Sequence, residues 1–132
     1  TDMERFDDIA NWSMEIITEN QVEKVFLEGY AYAATGRVFN IAENTAILKY
    51  NLWNDYIDYD VIAPTTIKKF ATGSGGANKE KMYISFCEEN PKRDMRAALT
   101  PRSTNTISPL NDVVDAYFIL KYGIYNGKAN KK

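Results

Sequence analysis

The chain reads as an α/β layered domain, and three observations carry that expectation. Apolar residues recur at helical spacing over residues 3–19 and 36–56. Two short apolar runs, 23–28 and 59–63, read as strands lying between helices. The resulting order, helix–strand–helix–strand–helix–helix, is the pattern of folds that lay helices against a sheet.

Each element has its own local reason. In 3–19 the apolar positions are Phe6, Ile9, Trp12 or Ser13, Ile16 and Ile17, which gives an amphipathic helix. After Asn20-Gln21, the run Val25-Phe26-Leu27-Glu28 reads as a buried strand that ends in a carboxylate. A charge closing an apolar strand is expensive unless it is paired, hydrogen-bonded or metal-bound. Segment 36–56 is the longest periodic stretch, with Val38, Ile41, Ala42, Thr45, Leu48, Leu52 and Tyr56 at helical spacing and Gly36 near its start. Tyr59–Ala63 is a short strand stopped by Pro64, and Thr65–Phe70 a brief helical turn.

Gly73-Ser74-Gly75-Gly76 reads as a flexible loop, and Asn78 suits the N-cap of a helix Lys79–Glu89. Residues 90–107, rich in Pro, Arg, Ser, Thr and Asn, read as a long surface loop of a kind that is usually functional or mobile. Ser108 capping a helix with Pro109 at its first position is a strong start signal, and Gly123 is the expected end. Lys128–Lys132 reads as a basic flexible tail. Two strands make a small sheet, so more are expected before Thr1, which is not a start methionine, or from another source.

Composition narrows the chemistry. At 132 residues and 45% hydrophobic, the chain suits one domain, with no transmembrane span or signal peptide in view. The single cysteine, Cys87, excludes an intrachain disulfide and fits a reducing compartment. Its neighbours Met82, Tyr83 and Phe86 make it a core thiol rather than a nucleophile. There is no histidine, which removes His-based zinc sites and Ser-His or Cys-His catalysis. Catalysis, if present, must use carboxylates, lysines and hard metal ions.

Charge is unevenly spread. Residues 1–60 carry four basic and twelve acidic side chains, a balance of −8, whereas residues 61–132 carry twelve basic and six acidic, a balance of +6. The net charge of −2 hides a potential basic face for phosphates. Ordinary unevenness of surface charge is the competing account.

Asp112 and Asp115, at i and i+3, project from one face of the last helix. As acids in a first helical turn they also suit the helix dipole, which is the plainer explanation for either alone. Taken in order, the chain shows a strand ending in Glu28, a long helix, Ala63-Pro64-x-x-Ile67-Lys68-Lys69, the loop Thr72-Gly73-x-Gly75-x-Ala77-x-Lys79, and Asp112-x-x-Asp115-Ala116. This sequence of features resembles Holliday-junction resolvases of the bacterial RuvC type, in the ribonuclease-H-like superfamily, over about residues 3–123.

The resemblance implies a ribonuclease-H-like mixed sheet flanked by helices, with its N-terminal strands missing from this chain, and a nuclease domain over 1–123. It implies a four-carboxylate site in which Glu28, Asp112 and Asp115 match three members, the fourth belonging to a strand before Thr1. Two Mg²⁺ or Mn²⁺ ions would serve each active site, since carboxylates are hard oxygen donors suited to them. Glu28 would act on the water-activating side. Lys79 would contact the scissile phosphate, Lys68, Lys69 and Lys81 would bind DNA, and Tyr30 would stack on an unpaired base. The partner implied is branched DNA, handled by a homodimer formed through the 36–56 helix, with Phe39, Ile47, Tyr50 or Trp53 on the exposed half. Arg93, Arg96 and Arg102 are either phosphate contacts or solvated loop charges.

The leading expectation is thus a Mg²⁺-dependent, structure-selective endonuclease for four-way or branched junctions, in the cytoplasm of a bacterium or phage-infected host. A non-catalytic nucleic-acid-binding or structural domain of the same fold is the alternative. A ribonuclease-H-like nuclease or RNA-processing factor with another substrate is a third.

Overall fold

The computed structural model describes residues 1–30 and 38–129. The elements are α1 (Asp2–Glu19), β1 (Lys24–Glu28), α2 (Val38–Asn54), β2 (Asp58–Ile62), α3 (Pro64–Thr72), α4 (Lys79–Glu89), α5 (Met95–Leu99) and α6 (Leu110–Ala129). They fall into two compact units, Thr1–Val61 and Ile62–Lys132. Gly36, the expected start of the long helix, lies outside the described residues, as does the end of the basic tail. Among the described residues no helix is long and apolar enough to cross a membrane.

In the first unit α1 packs on α2 and buries Phe6, Ala10 and Ile17, with Leu52 buried from α2. Thr1 opens α1 through a capping box, its hydroxyl accepting from the Glu4 N–H at 3.2 Å. Both helices close in the same way. The Val22 N–H reaches the Ile17 carbonyl at 3.0 Å and the Ile57 N–H reaches Leu52 at 2.9 Å, around Gln21 (φ 53°) and Tyr56 (φ 58°). These are Schellman closures built on residues other than glycine.

β1 and β2 form a two-stranded parallel sheet, with α2 in the crossover. Lys24 on β1 sits between Asp58 and Asp60 of β2 at 3.2 and 3.0 Å, and hydrogen bonds to Asp60 and Asp58 raise its pKa. Two expectations are corrected here. The strand ending in Glu28 is half-buried rather than buried, because Val25, Phe26 and Leu27 have one neighbouring strand among the described residues. Ile41 and Tyr56, two positions of the apolar repeat, are exposed; for Tyr56 the reason is that α2 stops at Asn54 and the chain turns into the left-handed region.

In the second unit α3, α4 and α6 pack on one another and α5 packs on α6. Ile67, Met82, Tyr83, Phe86, Leu110, Val114 and Phe118 are the buried core. Pro64 takes the first position of α3, and Gly73 (φ 84°) closes it by donating to the Lys69 carbonyl at 2.8 Å. The expected turn is therefore a nine-residue helix. Asn78 caps α4 as expected, accepting from the Lys81 N–H at 2.9 Å.

The span 90–107 departs most from expectation. It contains α5, whose N-cap Asp94 accepts from the Ala97 N–H at 3.0 Å, and it buries Thr100 and Thr106. Met95-Arg96-Ala97-Ala98-Leu99 are good helix formers between two prolines, a signal outweighed by the composition around them. α6 begins at Leu110, with Pro109 just before it accepting from the Val113 N–H at 3.1 Å. It also runs past Gly123 to Ala129. Glycine costs a helix interior about 1 kcal/mol. Packing overrides this, for Phe70 of α3 meets Tyr122 and Tyr125 with ring centroids 5.5 and 5.6 Å away.

Candidate active site

The second unit brings together four of the residues expected to act. Val114 and Phe118 turn one face of α6 into the core, which leaves Asp112 exposed and Asp115 half-buried at its first turns. Asp115 has its pKa raised, first by burial and then by the negative charge of Asp112, while Lys68 of α3 and Lys79 of α4 pull the other way. Two acids and two lysines from three helices thus share one electrostatic environment.

The backbone around each lysine is held. The Thr72 hydroxyl donates to the Lys68 carbonyl at 2.8 Å, and the Gly73 N–H donates to that of Lys69. Gly73-Ser74-Gly75-Gly76, expected to be a flexible loop, lies in a hydrogen-bonded turn: the Ser74 N–H donates to Thr72 Oγ1 at 3.1 Å and the Ala77 N–H to the Ser74 carbonyl at 3.2 Å. Lys79 follows the cap residue Asn78 directly, and Lys69, Lys79 and Lys81 are exposed to solvent.

Asp112 has partners that the sequence did not reveal. The Ser108 hydroxyl donates to one carboxylate oxygen, and the Asn111 Nδ2 donates to the other at 3.2 Å. Ser108 was expected to cap the backbone of α6. Because the helix starts two residues later, its hydroxyl serves the Asp112 side chain instead.

Glu28 and Tyr30 belong to the first unit. Glu28 is exposed at the end of β1. Tyr30 donates to the Ala42 carbonyl at 3.4 Å, and the Lys49 ammonium lies 5.4 Å from its ring centroid.

Among the described residues no group of three or more His, Cys, Asp and Glu side chains stands where it could hold a metal ion. The Asp112/Asp115 pair nevertheless fits part of a hard-cation site. Mg²⁺ is commonly held by one or two carboxylates, with water and substrate phosphate completing the shell. Burial first and the Asp112 charge second hold the Asp115 carboxyl above its usual range, and a cation there would favour its ionised form.

No family model matches the chain, and none of the curated proteins matches it. Solved structures do. A structure of Thermus thermophilus RuvC matches with a TM-score of 0.66 at 16% identity, covering 96% of this chain and 72% of that one. The chain has a RuvC-like fold. A second structure, T. thermophilus RuvC in complex with a Holliday junction substrate, gives a TM-score of 0.64 at 17% identity over 94% of this chain and 70% of that one. The RuvC-like fold places this chain in the ribonuclease-H-like architecture, here with a small sheet.

The contacts of the second unit also reassign one arginine. Arg96 is neither a free phosphate contact nor a solvated charge: its side chain is 26% exposed and pairs with Glu80 at 3.1 Å and Thr106 at 2.8 Å. A buried threonine at 106, inside a span that reads as surface loop, was the missing clue.

Proposed function

We propose that the protein is a Mg²⁺-dependent, structure-selective DNA endonuclease acting on four-way or branched junctions. The observation that carries this reading is the pair Asp112 and Asp115 sharing its surroundings with Lys68 and Lys79, in a unit of balance +6 and a RuvC-like fold. Support from the complex of T. thermophilus RuvC concerns the kind of substrate, a Holliday junction.

In this reading Asp112 and Asp115 would hold Mg²⁺ or Mn²⁺, and Glu28 of the first unit is the further carboxylate that the resemblance implies, two ions serving each site. Bound, such ions supply activated water and charge stabilisation for in-line phosphodiester hydrolysis. Lys79 orients and neutralises the scissile phosphate, Lys68, Lys69 and Lys81 bind flanking phosphates, and Tyr30 offers a ring for an unpaired base. Ser108 and Asn111 fix the Asp112 carboxylate before any ligand arrives. Two strands must be cut at a four-way junction, which suits a C2 dimer. On α2, Phe39, Tyr50 and Trp53 are 73%, 61% and 68% exposed and supply an apolar surface for it, while Ile47 is half-buried.

The test is direct. Glu28→Gln, Asp112→Asn and Asp115→Asn chains should bind a synthetic four-way junction and fail to nick it in Mg²⁺. Normal cutting by any of them removes that residue from the site. A binding-only domain is the second reading, favoured by Asp112 already accepting two hydrogen bonds. It predicts junction binding with no Mg²⁺-dependent nicking by the parent chain.

A further inference from the structure

Arg96 occupies a position that the proposed chemistry has not used. Its Nη2 donates to both oxygens of Glu80, at 3.1 and 3.4 Å, and to Thr106 Oγ1 at 2.8 Å. The Thr106 hydroxyl in turn donates to Glu80. The guanidinium carbon lies 4.7 Å from the Tyr83 ring centroid, and the Arg96 N–H donates to the Tyr83 hydroxyl at 3.3 Å. One residue of α5 thereby fastens the first turn of α4 to the chain just ahead of α6.

Those two places flank the candidate site. Glu80 directly follows Lys79, and Thr106 lies two residues before Ser108, which holds Asp112. The side chain joins three partners at once, Nη2 serving a carboxylate and a hydroxyl while the guanidinium lies over the Tyr83 ring.

We propose that Arg96 is a positioning residue: through Glu80 and Thr106 it sets Lys79 against the Asp112/Asp115 pair, without itself contacting DNA. This rests on the nuclease reading above. It assigns a role to the span 90–107, which becomes a strap between α4 and α6.

The experiment uses Arg96→Met, which keeps a stem over Tyr83 and loses the Nη2 donor, with Arg96→Lys and Thr106→Val beside it. Single-turnover cutting of a four-way junction in Mg²⁺ should fall about tenfold to a hundredfold in Arg96→Met, the scale of a misplacement near 1 Å. Junction affinity, measured in Ca²⁺, should stay within about twofold, since phosphate contacts are untouched. Arg96→Lys should recover part of the rate. Thr106→Val should lose rate too, and the double variant should lose little more than either single one. Amide exchange should quicken at the first turn of α4 and over 106–112, with the other helices protected as in the parent.

Three results overturn the proposal: Arg96→Met cutting at the parent rate, affinity falling while turnover holds, or protection lost uniformly along the chain. A parent that cuts no junction removes the nuclease reading, and Arg96's role with it. A cutting parent beside an equally fast variant removes the role alone.

Discussion

Asp115 concentrates the electrostatics of the site at a single carboxyl. Burial, then Asp112, raises its pKa against the pull of Lys68 and Lys79. An acid that binds its proton more tightly folded than unfolded contributes stability at low pH, and that contribution is lost as pH rises through its folded pKa. At neutral pH the ionised side chain therefore works against the fold. Asp115→Asn should raise Tm at pH 7, and should flatten the decline in stability between the acid carboxylate range and neutrality. Thermal melts across that range are the check, and a lowered Tm would show that the carboxylate is better satisfied than its surroundings suggest. Mg²⁺ should raise the Tm of the parent, because a cation bound only by the folded state stabilises it, and should leave the Asn variant where it was.

Helix ends offer a contrast between two units that close their helices with different residues. In the first unit Gln21 and Tyr56 hold left-handed conformations that glycine takes without penalty, and both are exposed. Gln21→Gly should stabilise by about 1 kcal/mol in urea unfolding, the scale of the left-handed penalty for an L residue. Gly73→Ala should destabilise by about the same amount, for a Cβ there meets nothing within 4 Å and the cost is conformational alone. Between α4 and α6, Glu89 accepts from Tyr117 and Lys121, each at 2.8 Å. Burial pushes its carboxyl up, but Lys121 and Tyr117 outweigh this and the pKa is lowered. That stability is present above the ordinary carboxylate range and lost as pH falls, opposite in sign to Asp115. Glu89→Gln should be less stable at pH 7 and less sensitive to acid, as read from melts at pH 7 and pH 3.

Across the whole molecule, charge follows the packing. The boundary after Val61 leaves the first unit at −8 and the second at +6. Exposed lysines of the second unit should bind polyanions with a steep salt dependence, while the net charge of −2 would suggest little affinity. Lys69→Ala and Lys81→Ala should each lower the slope of log affinity against log salt by about 1 if the side chain touches a phosphate. An unchanged slope would remove that lysine from the interface. Trp53→Lys should leave the fold intact and, if α2 forms the dimer, give a monomer by light scattering.

Periodicity and punctuation were enough to locate α1, β1, α2, β2 and α4, because each is written locally: an apolar repeat, a capping Asn78, a stopping Pro64. The same local writing put Asp112 and Asp115 on one helical turn and Lys68 and Lys79 ahead of it. Only the tertiary structure decided that these four share one field, that α6 continues through Gly123 and that 90–107 folds into a strap. Each of those outcomes depends on partners far along the chain: Phe70 beneath Tyr122, Glu80 beside Arg96, Lys68 and Lys79 near Asp115. A linear pattern records which residues are available, and burial against distant neighbours decides which of them meet.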